Sequence, residues 1–118
     1  MKTHKDLDIW RLGIELVKEV YLLTDTFPVS EKFGLSSQIQ RCAVSIPSNI
    51  AEGAARQGRK EYIQFLYIAL GSLSELETQI IIAKEIQYIN TIRDFEPRIE
   101  ELRRKMLGFI NYLKKESH

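Results

Sequence analysis

Short polar side chains that could carry chemistry follow one face of a predicted helix in the second quarter of the chain. They recur every three or four residues, a spacing that places them on one side of an α-helix, and we name them the polar stripe: Gln38, Arg41, Ser45, Asn49 and Glu52. Ser, Asn and Gln are weaker helix formers than Lys or Glu, so they are unusual choices for a helical surface that only faces water. We expect the polar stripe to form a helix–helix or subunit interface; a solvated surface is the alternative.

Two basic clusters are the candidate nucleic-acid contacts. One lies at the junction of the second and third predicted helices and the other on the fourth, and their members are Arg56, Arg59 and Lys60, and Arg103, Arg104 and Lys105. Lysine and arginine neutralise backbone phosphates and supply much of the affinity of proteins for RNA or DNA. The alternative interpretation is the ordinary charged exterior of a helix.

Residues suited to catalysis or metal binding are few. The two histidines, His4 and His118, lie near the ends of the sequence, whereas a di-iron helical bundle needs Glu-x-x-His pairs inside its core. Cys42 falls on a predicted apolar face, which favours a buried thiol over a nucleophile. Glu75 and Glu77 are two residues apart and do not share a helical face, so ion pairing is favoured over acid–base catalysis. We predict a protein that is not an enzyme and has no metal site and no cofactor.

The composition predicts one soluble domain. The chain has 118 residues, 44% of them apolar, and a net charge of +1, which provides no strong long-range attraction to nucleic acid or membrane. A single cysteine excludes a disulfide within the chain. No signal peptide is visible, and no continuous apolar run approaches the ~20 residues of a membrane span. We expect a cytoplasmic protein with no membrane partner.

The elements that must position these residues are helices, because apolar residues recur every three or four positions almost throughout. The predicted helices cover about residues 7–27, 36–57, 59–88 and 91–115. Short connections between long helices favour an all-α, antiparallel up-down-up-down four-helix bundle, a single domain over residues 1–118. The second helix is expected to continue through Pro47, and Ser37 with Gln40 fits a capping box near its start.

The first and third helices carry more apolar surface than one bundle needs. The first has a second apolar stripe beside its core stripe, formed by Trp10, Ile14, Val17 and Tyr21. A helix with two apolar stripes is covered on more than one side, which predicts self-association. Gly71, in the middle of the third helix, costs ~1 kcal/mol relative to alanine. We predict that this glycine allows a neighbouring helix to approach closely.

Two sequence runs resemble one protein family. The runs are QIQRCAVSIPSNIAEG at 38–53 and ALGSLSELETQ at 69–79. They are similar to the bacterial four-helix-bundle proteins first noticed as reading frames inside intervening sequences of large-subunit ribosomal RNA genes. The accessory variability protein of diversity-generating retroelements is a relative of that family. The resemblance covers nearly the whole chain, from Trp10 to Leu113.

The resemblance implies a fold, an assembly and a set of signature positions. Members form homopentamers arranged as a barrel with a central channel, and the retroelement relative binds nucleic acid and its reverse transcriptase. No catalytic residues are implied. The positions given an interfacial or structural role are Gln38, Arg41, Ser45, Pro47, Asn49, Glu52, Gly53, Gly71 and Glu75.

Two functional hypotheses follow. The first is a non-enzymatic homo-oligomer, a pentamer, that binds RNA or DNA as an accessory factor through the basic clusters, which would gather on one face of the assembly. The second is an assembly or adaptor module that binds a protein partner and has no nucleic-acid role.

Overall fold

Four α-helices account for most of the computed structural model, which describes residues 3–116. They are α1 (Asp8–Thr24), α2 (Leu35–Ala54), α3 (Arg59–Glu85) and α4 (Glu96–Lys115). Single 3₁₀ turns precede α1 at His4–Asp6 and precede α2 at Val29–Glu31. Residues 3–116 contain no β-strand, so the all-α prediction is confirmed.

The helices pack in chain order around one core. Each helix contacts the next, α4 closes the bundle against α1, and the diagonal pairs make no close backbone contact. Contacts between consecutive helices show that neighbours run antiparallel. Between α1 and α2, Thr24 meets Gln40 while Gly13 meets Pro47. Between α2 and α3, Cys42 meets Ser72 while Glu31, just before α2, meets Tyr88, just after α3. Between α3 and α4, Glu77 meets Arg103 while Tyr67 meets Lys114. The predicted up-down-up-down four-helix bundle is therefore confirmed.

The longest helix, α3, supplies the central seam of the core. Its buried apolar residues follow the predicted alternation of three and four positions, and we name them the core seam: Leu66, Ala69, Leu73, Leu76, Ile80 and Ala83. Each is at most 1% exposed. This spacing keeps one side of a long helix facing its neighbours, and burial of these side chains is the main stabilising contribution to the bundle.

The second helix continues through Pro47, as the sequence predicts. Pro47 is buried against α1 at Gly13, where an added Cβ would lie 3.3 Å from the proline Cβ. The proline removes one backbone hydrogen bond within the helix. Packing against the glycine of α1 compensates by burying the proline ring.

Two predicted helix bounds, residues 59 and 115, agree with the structure, and the other six differ from it by one to five residues. The first helix begins at Asp8 rather than residue 7 and ends at Thr24 rather than 27, since the chain tightens into 3₁₀-type bonds before Pro28. The second helix covers 35–54 rather than 36–57. The fourth begins at Glu96 rather than 91, with Pro97 in its first turn, where proline needs no hydrogen bond.

The end of α3 has a specific cause. The helix ends at Glu85 rather than at residue 88 because Gln87 has a φ of 67°, in the left-handed region. The Tyr88 N–H then donates to the Ala83 carbonyl, which closes the helix as a glycine terminus would. A glutamine at this position gives no sequence signal for such an ending.

The predicted capping box at Ser37 and Gln40 is wrong. The start of α2 is instead capped from outside the helix by Glu31, whose Oε1 accepts a hydrogen bond of 3.0 Å from the Leu35 N–H. The other oxygen, Oε2, accepts the Tyr88 hydroxyl at 2.6 Å. One carboxylate thus joins the start of α2 to the α3–α4 connection, and these two hydrogen bonds, the one from Tyr88 first, lower the pKa of Glu31.

This carboxylate makes stability depend on pH. Because the pKa of Glu31 is lower in the folded than in the unfolded protein, where it is near 4.5, its contribution is present above pH 4.5 and is lost as the pH falls through the folded value. Tyr88→Phe should therefore lower the free energy of unfolding at neutral pH, and the difference from wild type should shrink at low pH. Urea unfolding of both proteins at several pH values from neutral to acidic measures this difference in unfolding free energy. Tyr112→Phe is the control, because Tyr112 is exposed and makes no such bond, and an equal loss at every pH would contradict the account.

Candidate functional site

An open groove of about 540 Å³ lies between α2 and α3. Its walls are formed by Gln38, Arg41, Cys42, Ser45, Asn49, Ile68, Ser72, Glu75 and Gln79. Four members of the polar stripe and the signature residue Glu75 therefore meet along one groove. Glu52, the fifth member, lies outside it, with a carboxylate oxygen 3.9 Å from the Arg56 guanidinium.

Cys42 joins the two walls at the floor of the groove. Its thiol lies 3.1 Å from the Ser72 carbonyl and 3.3 Å from Glu75 Oε1, both acceptors on α3. Burial, with a smaller contribution from the Glu75 carboxylate, raises the pKa of the Cys42 thiol to about 12. The prediction that this cysteine is buried is confirmed, and the protonated thiol is a poor nucleophile.

The raised pKa predicts a nearly inert thiol. At pH 8 the thiolate fraction should be about 1000-fold lower than for a thiol of pKa 9, because each pKa unit is a factor of ten. Iodoacetamide should therefore alkylate Cys42 very slowly in the native protein and rapidly in denaturant, followed by mass spectrometry. Native labelling as fast as that of the unfolded chain would contradict the buried position.

Hydrogen bonds within α2 use several of the polar donors along the groove. The Ser45 hydroxyl donates to the Cys42 carbonyl at 2.6 Å, and the Asn49 amide donates to the Ser45 carbonyl at 2.7 Å. On the opposite wall, Gln79 is only 9% exposed. Its Oε1 accepts no hydrogen bond from residues 3–116. The groove thus contains a buried acceptor that lacks a donor.

A second line of residues runs along α3 outside the core, and we name it the outer seam. Its members alternate steps of four and three: Ile68, Ser72, Glu75, Gln79, Ile82 and Ile86. The three isoleucines are 51%, 43% and 48% exposed. At 1.5 Å per residue the seam extends about 27 Å along the helix. The apolar residues of α3 predict more than one covered face, but the outer seam was not predicted, although its spacing is visible in the sequence.

The second apolar stripe of α1 also stays uncovered. Ile14 and Tyr21 are 38% and 43% exposed, and Trp10 and Val17 are half-buried. Three members of the stripe, Trp10, Ile14 and Val17, line a shallow groove of about 280 Å³ between α1 and α2, together with Val44 and Pro47 among others. The bundle therefore has two neighbouring grooves, one on each side of α2.

The first basic cluster is paired with carboxylates. Arg56 lies 3.9 Å from Glu52 and 3.8 Å from Glu61. Its guanidinium also stacks 4.9 Å from the ring centre of Phe65. Arg59 lies 3.6 Å from Glu116, at the end of α4. These exposed ion pairs leave less free positive charge than the sequence suggests.

The second basic cluster is partly neutralised as well. Arg103 bonds to Glu77 at 2.8 Å and to Glu100, and Lys105 lies 3.6 Å from Glu101.

Two of the six predicted cations, Lys60 and Arg104, have no carboxylate within salt-bridge distance among residues 3–116. The first cluster lies beside the end of α4, because Arg59 pairs with Glu116. Glu116 is thirteen residues beyond Arg103 of the second cluster. At 1.5 Å per residue the two clusters lie about 20 Å apart along α4. One protomer does not bring them together.

The signature glycines have different surroundings. At Gly53 an added Cβ would lie 2.8 Å from the Phe65 Cβ and 3.1 Å from Tyr62 Cδ1, so the end of α2 approaches α3 closely there. At Gly71 nothing lies within 4 Å of an added Cβ. The prediction that Gly71 permits a close approach is wrong within the protomer, because the residue faces outward.

Metal-binding groups do not cluster in residues 3–116: no three His, Cys, Asp or Glu side chains are placed to hold one ion. His4 packs edge-on against Trp10, with ring centres 5.2 Å apart, and His118 lies outside the described residues. Among the described helices, α3 alone is long and apolar enough to cross a membrane. Core helices of soluble proteins meet the same criterion of length and composition.

Comparison with models of known protein families gives a match. A family model described as 23S rRNA-intervening sequence protein matches residues 5–108. No curated protein matches the chain.

Proposed function

Because the chain belongs to the family of 23S rRNA-intervening sequence proteins, whose function is unknown, we propose that it is a non-enzymatic protein that works as a homo-oligomer. The observation that carries this proposal is the apolar surface that the protomer leaves uncovered. Only 28% of the most apolar 18-residue segment of α3 is buried. The protonated state of the buried Cys42 thiol supports the absence of nucleophilic catalysis.

The arrangement of this apolar surface supports assembly. Single exposed apolar residues are normal in monomers, whereas aligned ones mark a contact surface. Ile68 and Ile82 of the outer seam lie on one line of α3, which Ile86 continues just past the end of the helix, and the stripe on α1 forms another line. A net charge of +1 per copy allows copies to approach without strong repulsion. The family resemblance supplies the number of subunits, which we take to be five.

Light scattering after size exclusion tests the proposal. At micromolar concentration the wild-type protein should elute as one oligomeric species whose mass is a multiple of the 13.7 kDa chain. A species of single-chain mass at that concentration would refute the proposal.

A second candidate function, binding of RNA or DNA by the assembly, is favoured by the two cations without carboxylate partners. Each copy would present Lys60 and Arg104, so one assembly could contact several phosphates at once. Several linked weak contacts raise the overall affinity for the nucleic acid. This binding should weaken steeply with salt, because phosphate contacts release counterions.

Fluorescence anisotropy with a structured RNA and a duplex DNA, at about 50 and 200 mM salt, tests this function. We expect binding at low salt that is lost in the variant Lys60→Glu/Arg104→Glu. The matched control is Lys84→Glu/Arg93→Glu, which makes the same charge change at exposed positions outside the predicted basic clusters. Absence of binding at low salt would favour the assembly or adaptor module with no nucleic-acid role.

A further inference from the structure

We propose that the exposed face of α4 binds a single strand of RNA or DNA, with one base stacked on the ring of Tyr112. The inference rests on the second candidate function and deepens it, because it names the kind of strand and the surface that contacts it. We name that surface the α4 track. Its members are all exposed and recur at steps of four, four and three: Arg104, Gly108, Tyr112 and Lys115.

The positive charge of the α4 track has no carboxylate opposite it. From Arg103 to Lys115, α4 contains five basic residues and no acidic one. In the described part of the chain, Arg104 and Lys115 have no carboxylate within salt-bridge distance. These two cations stand eleven residues apart. At 1.5 Å per residue that is about 17 Å, so phosphates of one strand can reach both, and charge complementarity identifies a polyanion as the occupant.

Tyr112 favours an unpaired strand over a duplex. It is 56% exposed, and its ring lies within 11° of parallel to the ring of Phe109, with centres 6.2 Å apart. Phe109 in turn packs edge-on against Tyr62 at 5.5 Å. These contacts hold the Tyr112 ring in place, so little side-chain freedom is lost when a base stacks on it. A base inside a duplex is covered by its neighbours, whereas an unpaired base is free to stack on an aromatic ring.

Gly108 lies between the cation and the ring, one helical turn from each. It is exposed, and nothing lies within 4 Å of an added Cβ, so packing within the protomer does not require a glycine. Glycine inside a helix is destabilising relative to alanine. The missing side chain allows a sugar–phosphate backbone to approach the helix closely between Arg104 and Tyr112.

The α4 track leads to the first basic cluster. Glu116, directly after Lys115, pairs with Arg59, and Lys60 is the next residue of α3. The about 20 Å between the two clusters is too long for one phosphate site, but it corresponds to about six nucleotides of stacked strand at 3.4 Å each. One extended strand can therefore contact both clusters, although the protomer does not bring them together.

The variant Tyr112→Ser tests the stacked base. Fluorescence anisotropy with labelled oligo(dU) and oligo(U) of about 15 nucleotides, longer than the track, should show binding about fivefold weaker or more. Because stacking releases no counterions, the loss should be the same factor at about 50 and 200 mM salt. Tyr112→Phe keeps the ring and should bind like wild type. Phe33→Ser is the matched control, because it removes an 89% exposed ring near the start of α2, outside the α4 track, and should also bind like wild type.

A duplex of oligo(dU) and oligo(dA) of the same length tests the kind of strand. It should bind more weakly than either single strand. Equal binding of duplex and single strands, or unchanged affinity of Tyr112→Ser, would overturn the stacked strand, while binding that is lost in Lys60→Glu/Arg104→Glu would still support the second candidate function. Absence of binding by all three probes would overturn both. Tighter binding of oligo(U) than of oligo(dU) would assign RNA, and the reverse order would assign DNA.

A strand that contains 5-iodouracil locates the contact directly. On irradiation this base crosslinks to an aromatic ring on which it stacks, and peptide mass spectrometry should place the product at Tyr112. Products confined to another exposed aromatic residue, such as Phe33 or Tyr67, would overturn the assignment to the α4 track.

Discussion

Replacing Ile82 by aspartate is expected to weaken assembly by at least about 100-fold. Ile82 is 43% exposed in the protomer, so the variant should fold, but a second copy covering the outer seam would bury the new carboxylate without a partner. An uncompensated buried charge costs about 3–5 kcal/mol, and each 1.4 kcal/mol is a factor of ten in the dissociation constant. Sedimentation equilibrium over a range of concentrations measures the change.

The control for this prediction is Val29→Asp. Val29 is also apolar, but it is 88% exposed in the short connection before α2 and is not part of the outer seam. That variant should assemble like the wild type. If Ile82→Asp also assembles like the wild type, the outer seam is not the subunit contact.

Substituting alanine for Gly53 is expected to destabilise the protein by about 1–2 kcal/mol. The new methyl group would lie 2.8 Å from the Phe65 Cβ, which is anchored to the backbone of α3 and cannot rotate away. Overpacking of this kind costs about 1–3 kcal/mol, and the better helix propensity of alanine offsets up to about 1 kcal/mol of it. Urea unfolding at one fixed protein concentration measures the difference.

Gly108→Ala is the matched control. Gly108 is exposed on α4 and has nothing within 4 Å of an added Cβ. Alanine there should stabilise the protein by about 0.5–1 kcal/mol through the conformational entropy of the unfolded chain. Destabilisation by both substitutions to the same extent would mean that close approach at Gly53 is not the cause.

The helical fold was predictable because apolar spacing alone identifies amphipathic helices. Helix ends were less predictable, since they depend on bonds between residues far apart in sequence. Glu31 caps α2 with the help of Tyr88, which lies 57 residues away, and local sequence instead suggested Ser37 and Gln40. Gln87 ends α3 in a conformation for which glycine is the usual signal.

The candidate site was predictable in part. The polar stripe was identified from residue type and spacing, and four of its members line the groove. The basic clusters were predicted from their positive side chains. Their ion pairs with carboxylates were not predicted, because Glu77 and Glu116 reach them from positions remote in the sequence. Gln79 was missed, since a glutamine on a helix has no feature that marks it as a buried acceptor without a donor.

Gly53 and Gly71 show the limit of reasoning from residue type. Both glycines lie within helices, and the close helix approach was predicted at Gly71. The structure places that approach at Gly53 and leaves Gly71 facing outward. A glycine within a helix predicts that a neighbouring helix approaches closely. Whether the glycine faces that neighbour decides at which position the approach occurs.

Native mass spectrometry of the wild-type protein tests the central claim most directly, because it counts subunits. The proposed homo-oligomer predicts one assembled species, and the family resemblance sets its size at five chains of 13.7 kDa, near 68 kDa. A monomer would contradict assembly altogether. A dimer would contradict the number of subunits that the resemblance implies.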